Sequence, residues 1–280
     1  MPRQAGTQQQ WGLLKRRLLK REEQAAKGLL RLLRDARRDV KRAILDASDA
    51  ATGRELTEVR RGLDNAIGVL DGRMKSRLQT DVLEAVKIGG ELGSVRGARL
   101  ALAFALDPRM LEQVNLYHAD LIQDLTDALR AGITRRVQLG ILAGKPLEQI
   151  AAEVAAYRTQ GRKTLQPIGP FRTAEQRAMA IARTEVNRVA NMATQSRMEA
   201  IIRAEPNKYE KVWVSQKDER TRPAHLAADG QTVSINAKFT VGGFKCKYPC
   251  DPALPASQSV HCRCGMRLKE KTFEQSVEGR

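Results

Sequence analysis

The sequence predicts an α+β protein that is mainly α-helical, with an N-terminal helical domain followed by a small α+β domain. Most of the 280 residues lie in segments where apolar residues recur every three or four positions, which is the period of an amphipathic helix. Aromatic residues make up only 4 % of the chain, which argues against a large all-β sandwich or barrel. In the second domain we expect a long helix, a few short strands and a loop-rich cysteine cluster.

The charge is strongly basic and unevenly distributed. Lys and Arg number 49 against 32 Asp and Glu, for a formal net charge of +17. Residues 1–42 carry a net charge of +9, residues 43–170 one of +1 and residues 171–280 one of +7. Both ends are therefore candidates for contact with a polyanion, either nucleic acid or an acidic protein surface. We recognise no apolar run long enough for a membrane span and no secretory signal.

Residues 1–50 are expected to form a basic, amphipathic helical arm. From Trp11 to about Ala47 the residues are strong helix formers without proline, and leucines alternate with Lys, Arg and Gln. The leucine face needs a partner, whereas the basic face could follow the phosphates of DNA, lie on a membrane surface or simply be solvated. The candidate DNA-binding residues are Lys15, Arg16, Arg17, Lys20, Arg37, Arg38, Lys41 and Arg42.

Residues 51–160 are expected to form a helical domain. One helix is predicted from about Glu55 to Val86, followed by a break at a group of glycines that begins with Gly89 and Gly90. Asp107 and Pro108 then have the pattern of an N-cap and a first-turn proline. In the helix that follows, His118 lies on the apolar face and is expected to be a core histidine. Residues 158–171, with two Pro and two Gly, are interpreted as a linker.

Residues 171–270 are expected to form the second domain, and residues 271–280 a tail. The domain opens with a helix from about Thr173 to Arg203, ended before Pro206. Three polar side chains at intervals of four residues form one stripe on this helix: Arg183, Asn187 and Asn191. Glu185 and Arg188, three residues apart, are positioned to pair on another side.

A change of period follows this helix. Residues 209–215 alternate β-branched and aromatic side chains and are predicted to form a strand. Asp229 and Gly230 indicate a turn, residues 232–235 a short strand, and Gly242 with Gly243 another turn.

All four cysteines lie within 19 residues, in the order C-x3-C, eleven residues, C-x-C. Thiolates that converge from short loops are the usual way to hold a tetrahedral zinc ion, and such an ion would be structural if four thiolates surround it. Disulfides and free thiols remain alternatives. His225 and His261 are further ligand candidates, although His261 directly precedes a cysteine and both cannot readily ligate together. The candidate metal residues are Cys246, Cys250, Cys262, Cys264 and His225.

A hydrolytic metal site is the competing interpretation of this segment. It would need an open coordination position and a base, for which His225, Asp218 and Asp229 are available. Sequence signatures of phosphate-binding loops, dinucleotide-binding turns, nucleophile elbows and zinc-protease helices are absent from the chain. We therefore expect no enzymatic activity, and we keep a metal-dependent nuclease or phosphodiesterase as the alternative.

One ordered set of short motifs resembles a known family. Residues 182–185 (ARTE) precede residues 218–225 (DERTRPAH), then Asp229-Gly230, and residues 262–264 (CRC) close the order. This order resembles the phage Mu protein F-like family of minor head, or head-morphogenesis, proteins, over about residues 130–268. The signature positions carried over by motif are Arg183, Thr184, Glu185, Asp218, Arg220, His225 and Asp229, with Cys262 and Cys264.

The resemblance implies a virion component of a tailed phage or prophage. Such a protein would lie inside the capsid head after assembly in the host cytoplasm and would associate with the portal protein, the major capsid protein or both. It would affect head morphogenesis and DNA packaging or ejection, with non-specific contact to double-stranded DNA. Related domains also occur beside toxin-like or ADP-ribosyltransferase modules, so a prophage-carried toxin domain is a further alternative. This chain departs from the pattern because His261 stands where Asn is frequent and because Cys246 and Cys250 flank Tyr248-Pro249.

The charged signature residues suggest ion pairs that would hold the loops on the long helix. Arg220 and Arg222 are the expected partners of Glu185, and Asp218 or Asp229 the expected partner of Arg183, because a buried charge is costly unless it is paired.

Overall fold

The computed structural model describes residues 2–47, 55–94, 107–156, 171 and 173–271. These residues form a mainly α-helical protein with a few short strands, which confirms the predicted fold class. The interpreted linker at 158–171 lies almost entirely outside the described residues. The expected tail lies outside them too, apart from its first residue.

Five long or medium helices account for most of the described chain, and two helices of one turn lie near its C-terminal end. None of the helices in the described ranges combines the length and the apolar character that crossing a bilayer requires. The helices are α1 (Pro2–Asp46), α2 (Glu55–Leu92), α3 (Pro108–Leu142), α4 (Leu147–Ala155), α5 (Ala174–Ala204), α6 (Pro223–Ala227) and α7 (Ala256–Ser259).

Five short strands form two antiparallel sheets. In the first sheet the central strand β1 (Tyr209–Val214) lies between β2 (Thr232–Val233) and β5 (Gly265–Glu270). The second sheet is a hairpin of β3 (Phe239–Val241) and β4 (Phe244–Cys246). Gly242 and Gly243 form its turn with φ of +56° and +84°, values that glycine adopts at little cost, so the predicted turn is confirmed.

Local signals explain where two of the helices begin. The Asp107 carboxylate accepts a hydrogen bond from the backbone N–H of Arg109 at 2.9 Å, which confirms the predicted N-cap before Pro108. Thr173 caps α5 in the same way through the N–H of Gln176 at 3.1 Å. These side chains satisfy backbone donors that have no partner within the helix.

Helix α2 runs to Leu92, six residues beyond its predicted end at Val86. A Cβ on Gly89 would lie 2.2 Å from the carbonyl oxygen of Ala190, so this glycine permits close packing of α2 against α5. Gly89 therefore has a packing role within a continuous helix, and the helix ends only near Gly93.

The chain divides into two compact units. One contains Ala25–Gln79 and Glu112–Ala182, and its core is lined by Leu29, Leu63 and Ile122, together with His118, which is buried as expected. The other contains Met1–Gln24, Thr80–Leu111 and Arg183–Arg280, and it carries both sheets and all four cysteines. The domain limits expected from the sequence stay a prediction.

The small sheets enclose one hydrophobic core in the second of these units. Trp213 on β1 packs edge-to-face against Phe239 on β3, with their ring centroids 5.4 Å apart. The remaining buried members of this core include all four cysteines, Met198 from α5 and Met266 from β5. The cysteines are thus interior residues of a small core and no longer a solvent-exposed loop cluster.

Candidate metal centre

Two asparagines of the polar stripe of α5 form hydrogen bonds to the backbone of the loop that carries Cys262 and Cys264, which we call the cysteine loop. The side-chain amide of Asn187 donates to the carbonyl oxygens of Cys262 at 2.8 Å and Cys264 at 3.3 Å. The amide of Asn191 donates to the same Cys264 carbonyl at 3.2 Å. Because both asparagines are buried, these bonds replace the water that the loop carbonyls would otherwise bind. The spacing of four residues therefore serves to fix the cysteine loop on the helix.

Neighbouring residues of α5 extend this contact. The buried hydroxyl of Thr184 accepts a hydrogen bond from the backbone N–H of His261 at 3.1 Å. Arg188 donates from Nε to the carbonyl of Cys250 at 3.0 Å and pairs with Glu185, which confirms the predicted pair three residues apart. One turn of helix thus holds both cysteine-bearing segments.

Helix α1 adds a buried lysine to the same network. Lys15 is 4 % exposed, and its ammonium group donates to the side-chain oxygen of Asn187 at 3.0 Å and to the Cys264 carbonyl at 3.2 Å. Trp11 donates from its indole N–H to the carbonyl of Met266 at 2.8 Å. These contacts span more than 170 positions in the sequence, and no sequence pattern pointed to them.

Three candidate ligands converge beside this network. His225, Cys262 and Cys264 are buried, and each offers one ligand atom within 4.8 Å of the others. The Nδ1 atom of His225 lies 3.3 Å from the sulfur of Cys264 and 3.5 Å from that of Cys262. Among the described ranges this is the group of His, Cys, Asp and Glu side chains that could hold a metal ion.

The distances suit a tetrahedral ion with nitrogen and sulfur ligands. With Zn–N of about 2.0 Å and Zn–S of about 2.3 Å, a nitrogen and a sulfur ligand lie about 3.5 Å apart at a tetrahedral site. The other ring nitrogen of His225, Nε2, is 3.0 Å from the side-chain oxygen of Gln258. A hydrogen bond from Nε2–H to this oxygen leaves Nδ1 as the free lone pair, as metal-ligating histidines require.

Cys250 and Cys246 differ in their relation to this group. The buried Cys250 thiol is in hydrogen-bond contact with the Cys262 sulfur and accepts from the amide of Asn187 at 3.5 Å. Cys246 pairs with Phe239 in the β3–β4 hairpin and lies outside the group. Of the five candidate metal residues, the structure brings together His225, Cys262 and Cys264, with Cys250 in contact and Cys246 apart.

The thiol network stabilises one thiolate. Hydrogen bonds from the thiols of Cys250 and Cys264 hold the pKa of Cys262 well below its ordinary value. The pKa values of Cys250 and Cys264 are raised because they donate to Cys262 and because they are buried. Burial raises the pKa of Cys246 to about 12. Cys262 is therefore the natural first anionic ligand for a cation.

The two acidic signature residues form other contacts. Asp218 makes a bidentate pair with Arg263, whose hydrogen bonds hold the pKa of this carboxyl well below its usual range. Asp229 accepts from the backbone N–H of Ser215 at 2.8 Å and pairs with Lys217 at 2.7 Å. Both carboxylates thus stabilise loops, and neither belongs to the group formed by His225, Cys262 and Cys264.

The ion pairs seen differ from the expected ones. Glu185 pairs with Arg188, a neighbour one turn away, and Asp218 pairs with Arg263. Arg222 donates to the carbonyl of Val260. Arg220 is exposed. Glu185 thus finds its partner one helical turn away, whereas the partner of Asp218 lies 45 positions further along the chain.

The eight candidate DNA-binding residues of α1 fall into three groups. Lys15 is buried in the network above, so its ammonium is not available to a phosphate. Three others are engaged in ion pairs with acidic side chains: Arg17 with Glu91, Arg37 with Glu175 and Arg38 with Asp35. The remaining four are exposed and have no ion pair among the described residues: Arg16, Lys20, Lys41 and Arg42.

Glu22 of α1 is a buried acid that the sequence did not single out. It is 3 % exposed, and its Oε1 atom has no hydrogen-bond partner among the described residues. Burial raises its pKa to about 7, although the positive charge of Lys15 acts in the opposite direction. The amphipathic pattern of α1 placed this glutamate between leucines, which is the only signal that could have marked it.

The fold and the site define a class: a small α+β module in which a long helix holds a cysteine-rich loop by its backbone. Residues 131–267 match the family model described as Phage Mu protein F like protein, which confirms the resemblance that the motif order indicated. The matched range contains the polar stripe of α5, His225 and all four cysteines.

A comparison with curated proteins found one relative with a different description. The chain is 30 % identical over 138 residues to the NAD(+)--arginine ADP-ribosyltransferase EFV of Enterococcus faecalis (strain ATCC 700802 / V583). The match covers 49 % of this chain and 25 % of that protein, so the chain spans about a quarter of the length of the relative. No solved structure was found to match the chain.

Proposed function

We propose that the protein is a minor head protein of a tailed phage or prophage. It would be a portal-associated component of the virion, inside the capsid head, that takes part in head morphogenesis and in DNA packaging or ejection. The observation that carries this proposal is the family match over residues 131–267, which contains the polar stripe of α5, His225 and all four cysteines.

The proposed partners are the portal protein, the major capsid protein or both, and the packaged double-stranded DNA. The test is to purify heads of the phage that encodes the chain, or of the induced prophage, and to treat them with protease before and after opening. The protein should resist protease in intact heads and be digested once they are opened. Its absence from purified heads would overturn the proposal.

Non-specific DNA contact is proposed for the exposed basic residues of α1. In one compact unit these are Arg16 and Lys20, and in the other Lys41 and Arg42. Contacts with phosphates release counterions, so the affinity for duplex DNA should fall steeply between 50 and about 200 mM salt. An affinity that does not change with salt would remove DNA contact from the proposal.

A structural zinc ion is proposed for the centre. His225, Cys262 and Cys264 would be three ligands, and the Cys250 thiol in contact with Cys262 would complete the set. A four-ligand site is closed and supplies stability instead of a reactive water. The ion would hold α6, the C-terminal loop and the segment after β4 together in a core with few apolar side chains.

We propose that the chain has no catalytic residues of its own. The acids considered for hydrolysis, Asp218 and Asp229, are engaged with Arg263 and Lys217. Plasmid incubated with the protein and Zn²⁺, Mg²⁺ or Mn²⁺ should remain intact. Cleavage that is lost in His225→Ala, with folding retained, would establish the nuclease alternative.

The second candidate is a toxin-like domain, which the similarity to the Enterococcus faecalis protein favours. The test is to incubate the chain with NAD⁺ and agmatine, an arginine mimic, and to look for ADP-ribosyl-agmatine by mass spectrometry. We expect no product. Formation of the product at a rate that depends on the concentration of the chain would replace the head-protein proposal.

A further inference from the structure

A basic cleft opens beside the candidate metal centre. His225, Cys262 and Cys264 form part of its wall, and Arg220, Arg222 and Arg263 line it together with His261. The volume of the cleft is about 10 Å³. Such a space holds about one water molecule, so a larger group binds only at the mouth of the cleft, and enclosing a nucleotide would need about 300 Å³ or more.

The arginines of the cleft differ in how far their charge is already neutralised. Arg263 is paired with Asp218 through both guanidinium arms. Arg222 donates to a backbone carbonyl, which leaves its charge uncompensated. Arg220 is exposed, and neither it nor Arg222 makes an ion pair among the described residues. The cleft therefore carries an excess of positive charge.

His261 is an exposed residue of the loop that lines the cleft. The residue adopts φ of +58°, an uncommon conformation for a side chain with a Cβ, and its N–H is fixed by Thr184. Three arginines thus line the cleft beside this loop, and Asp218 pairs with one of them, Arg263.

We propose that this cleft binds a phosphate group of a DNA backbone, held by Arg220 and Arg222. Guanidinium groups match phosphate oxygens in charge and in geometry, and two hydrogen bonds can form to each group. The small volume favours a phosphate presented from outside by a polymer over a free nucleotide enclosed in the protein. The proposal rests on the proposed DNA contact and adds a second contact site, distinct from the basic face of α1.

The test compares variants in fluorescence anisotropy with a labelled 20-base-pair duplex over a salt series. The double variant Arg220→Gln/Arg222→Gln should lower the steepness of log K against log [salt] by about 0.9, since it removes the one phosphate contact that the cleft makes. The matched control Lys238→Gln/Lys269→Gln removes two exposed positive charges from the same compact unit and should leave the slope unchanged. Equal slopes for the two double variants would overturn the proposal.

The single variant Arg220→Gln is not expected to affect folding, because this side chain is exposed and pairs with no acid among the described residues. It therefore separates a loss of binding from a loss of structure. It should reduce the slope by no more than about 0.9, with an unchanged melting temperature. In a second experiment the protein is titrated with inorganic pyrophosphate, and the NMR signals of the His261 ring are followed. These signals should shift and saturate in the wild type but not in the double variant.

The possible results separate this site from the wider proposal. DNA binding that is lost only on substitution of the α1 residues would refute the cleft and leave the DNA contact intact. Saturable pyrophosphate shifts without any binding of duplex by the wild type would refute the DNA backbone as the ligand. Binding of ADP with higher affinity than the duplex would also overturn the proposal, because it would assign the cleft to a free nucleotide.

Discussion

The side-chain amide of Asn187 lies 2.8 Å from the carbonyl oxygen of Cys262, and its side-chain oxygen accepts from the ammonium of Lys15 at 3.0 Å. One buried side chain thus joins α5, α1 and the cysteine loop. These contacts fix the position of the cysteine loop, because the loop has few apolar side chains and depends on hydrogen bonds to its backbone.

Replacing Asn187 by alanine should destabilise the protein by about 3 kcal/mol. The change leaves two loop carbonyls and the Lys15 ammonium short of partners in a buried site, and each unsatisfied buried group costs about 1–3 kcal/mol. Urea unfolding followed by circular dichroism measures the effect. The control is Asn236→Ala at an exposed position, which should change the stability by less than about 0.5 kcal/mol. Equal effects of the two substitutions would refute the role assigned to Asn187.

Two glycines of α2 should respond to alanine in opposite directions. Gly89→Ala places a methyl group 2.2 Å from the Ala190 carbonyl oxygen and should cost about 3 kcal/mol through overpacking. Gly68→Ala meets nothing within 4 Å and should stabilise the helix by about 0.5–1 kcal/mol. Thermal melts of the two variants provide the comparison. A neutral Gly89→Ala would mean that α2 and α5 do not approach each other as closely as seen.

Substitution of Lys15 should affect stability, and substitution of the adjacent Arg16 should affect DNA binding. Lys15→Gln removes a buried ammonium with two hydrogen bonds and should cost about 2 kcal/mol without altering the salt dependence of DNA binding. Arg16→Gln should leave stability unchanged and lower the slope of log K against log [salt] by about 0.9. Unfolding curves and anisotropy titrations of both variants test this. A lower slope for Lys15→Gln would show that its ammonium reaches the phosphates.

The periodic features of this protein are those that the sequence could predict. The helical period indicated the long helices, Asp107 and Pro108 marked the start of α3, and the spacing of Asn187 and Asn191 placed both on one face. These signals are local, since neighbouring residues fix them through backbone geometry. The fold class followed because such signals cover most of the chain.

Long-range contacts could not be predicted in the same way. Lys15 and Asn187 are 172 positions apart, and the basic pattern of α1 suggested a phosphate contact for a lysine that is buried. Cysteine spacing likewise indicated a cluster but could not separate Cys246 from Cys262. Only the strand register, which places Cys246 opposite Phe239, shows that this thiol faces the core.

The buried Glu22 should make stability depend on pH. Its pKa is raised to about 7 in the folded protein from 4.5, so between these values the folded state binds more protons than the unfolded state. Stability therefore falls as pH rises from about 4.5 to 7, by about 3 kcal/mol for this group.

The variant Glu22→Gln isolates this effect. The stability of the variant minus that of the wild type should increase by about 3 kcal/mol between pH 4.5 and 7.5, measured by urea unfolding at each pH. Glu23→Gln, at the neighbouring exposed position, is the control and should show no such trend. A difference that does not vary with pH would mean that Glu22 ionises normally in the folded protein.

Metal analysis of the purified protein by mass spectrometry tests the central claim most directly, namely that His225 and the thiols of Cys250, Cys262 and Cys264 hold a zinc ion. We expect one zinc ion per chain in the wild type and in Cys246→Ala, and none in Cys264→Ser or His225→Ala. Removal of the ion with a chelator should lower the melting temperature by about 5 °C or more. A folded wild-type protein that contains no metal and has four titratable thiols would contradict the claim.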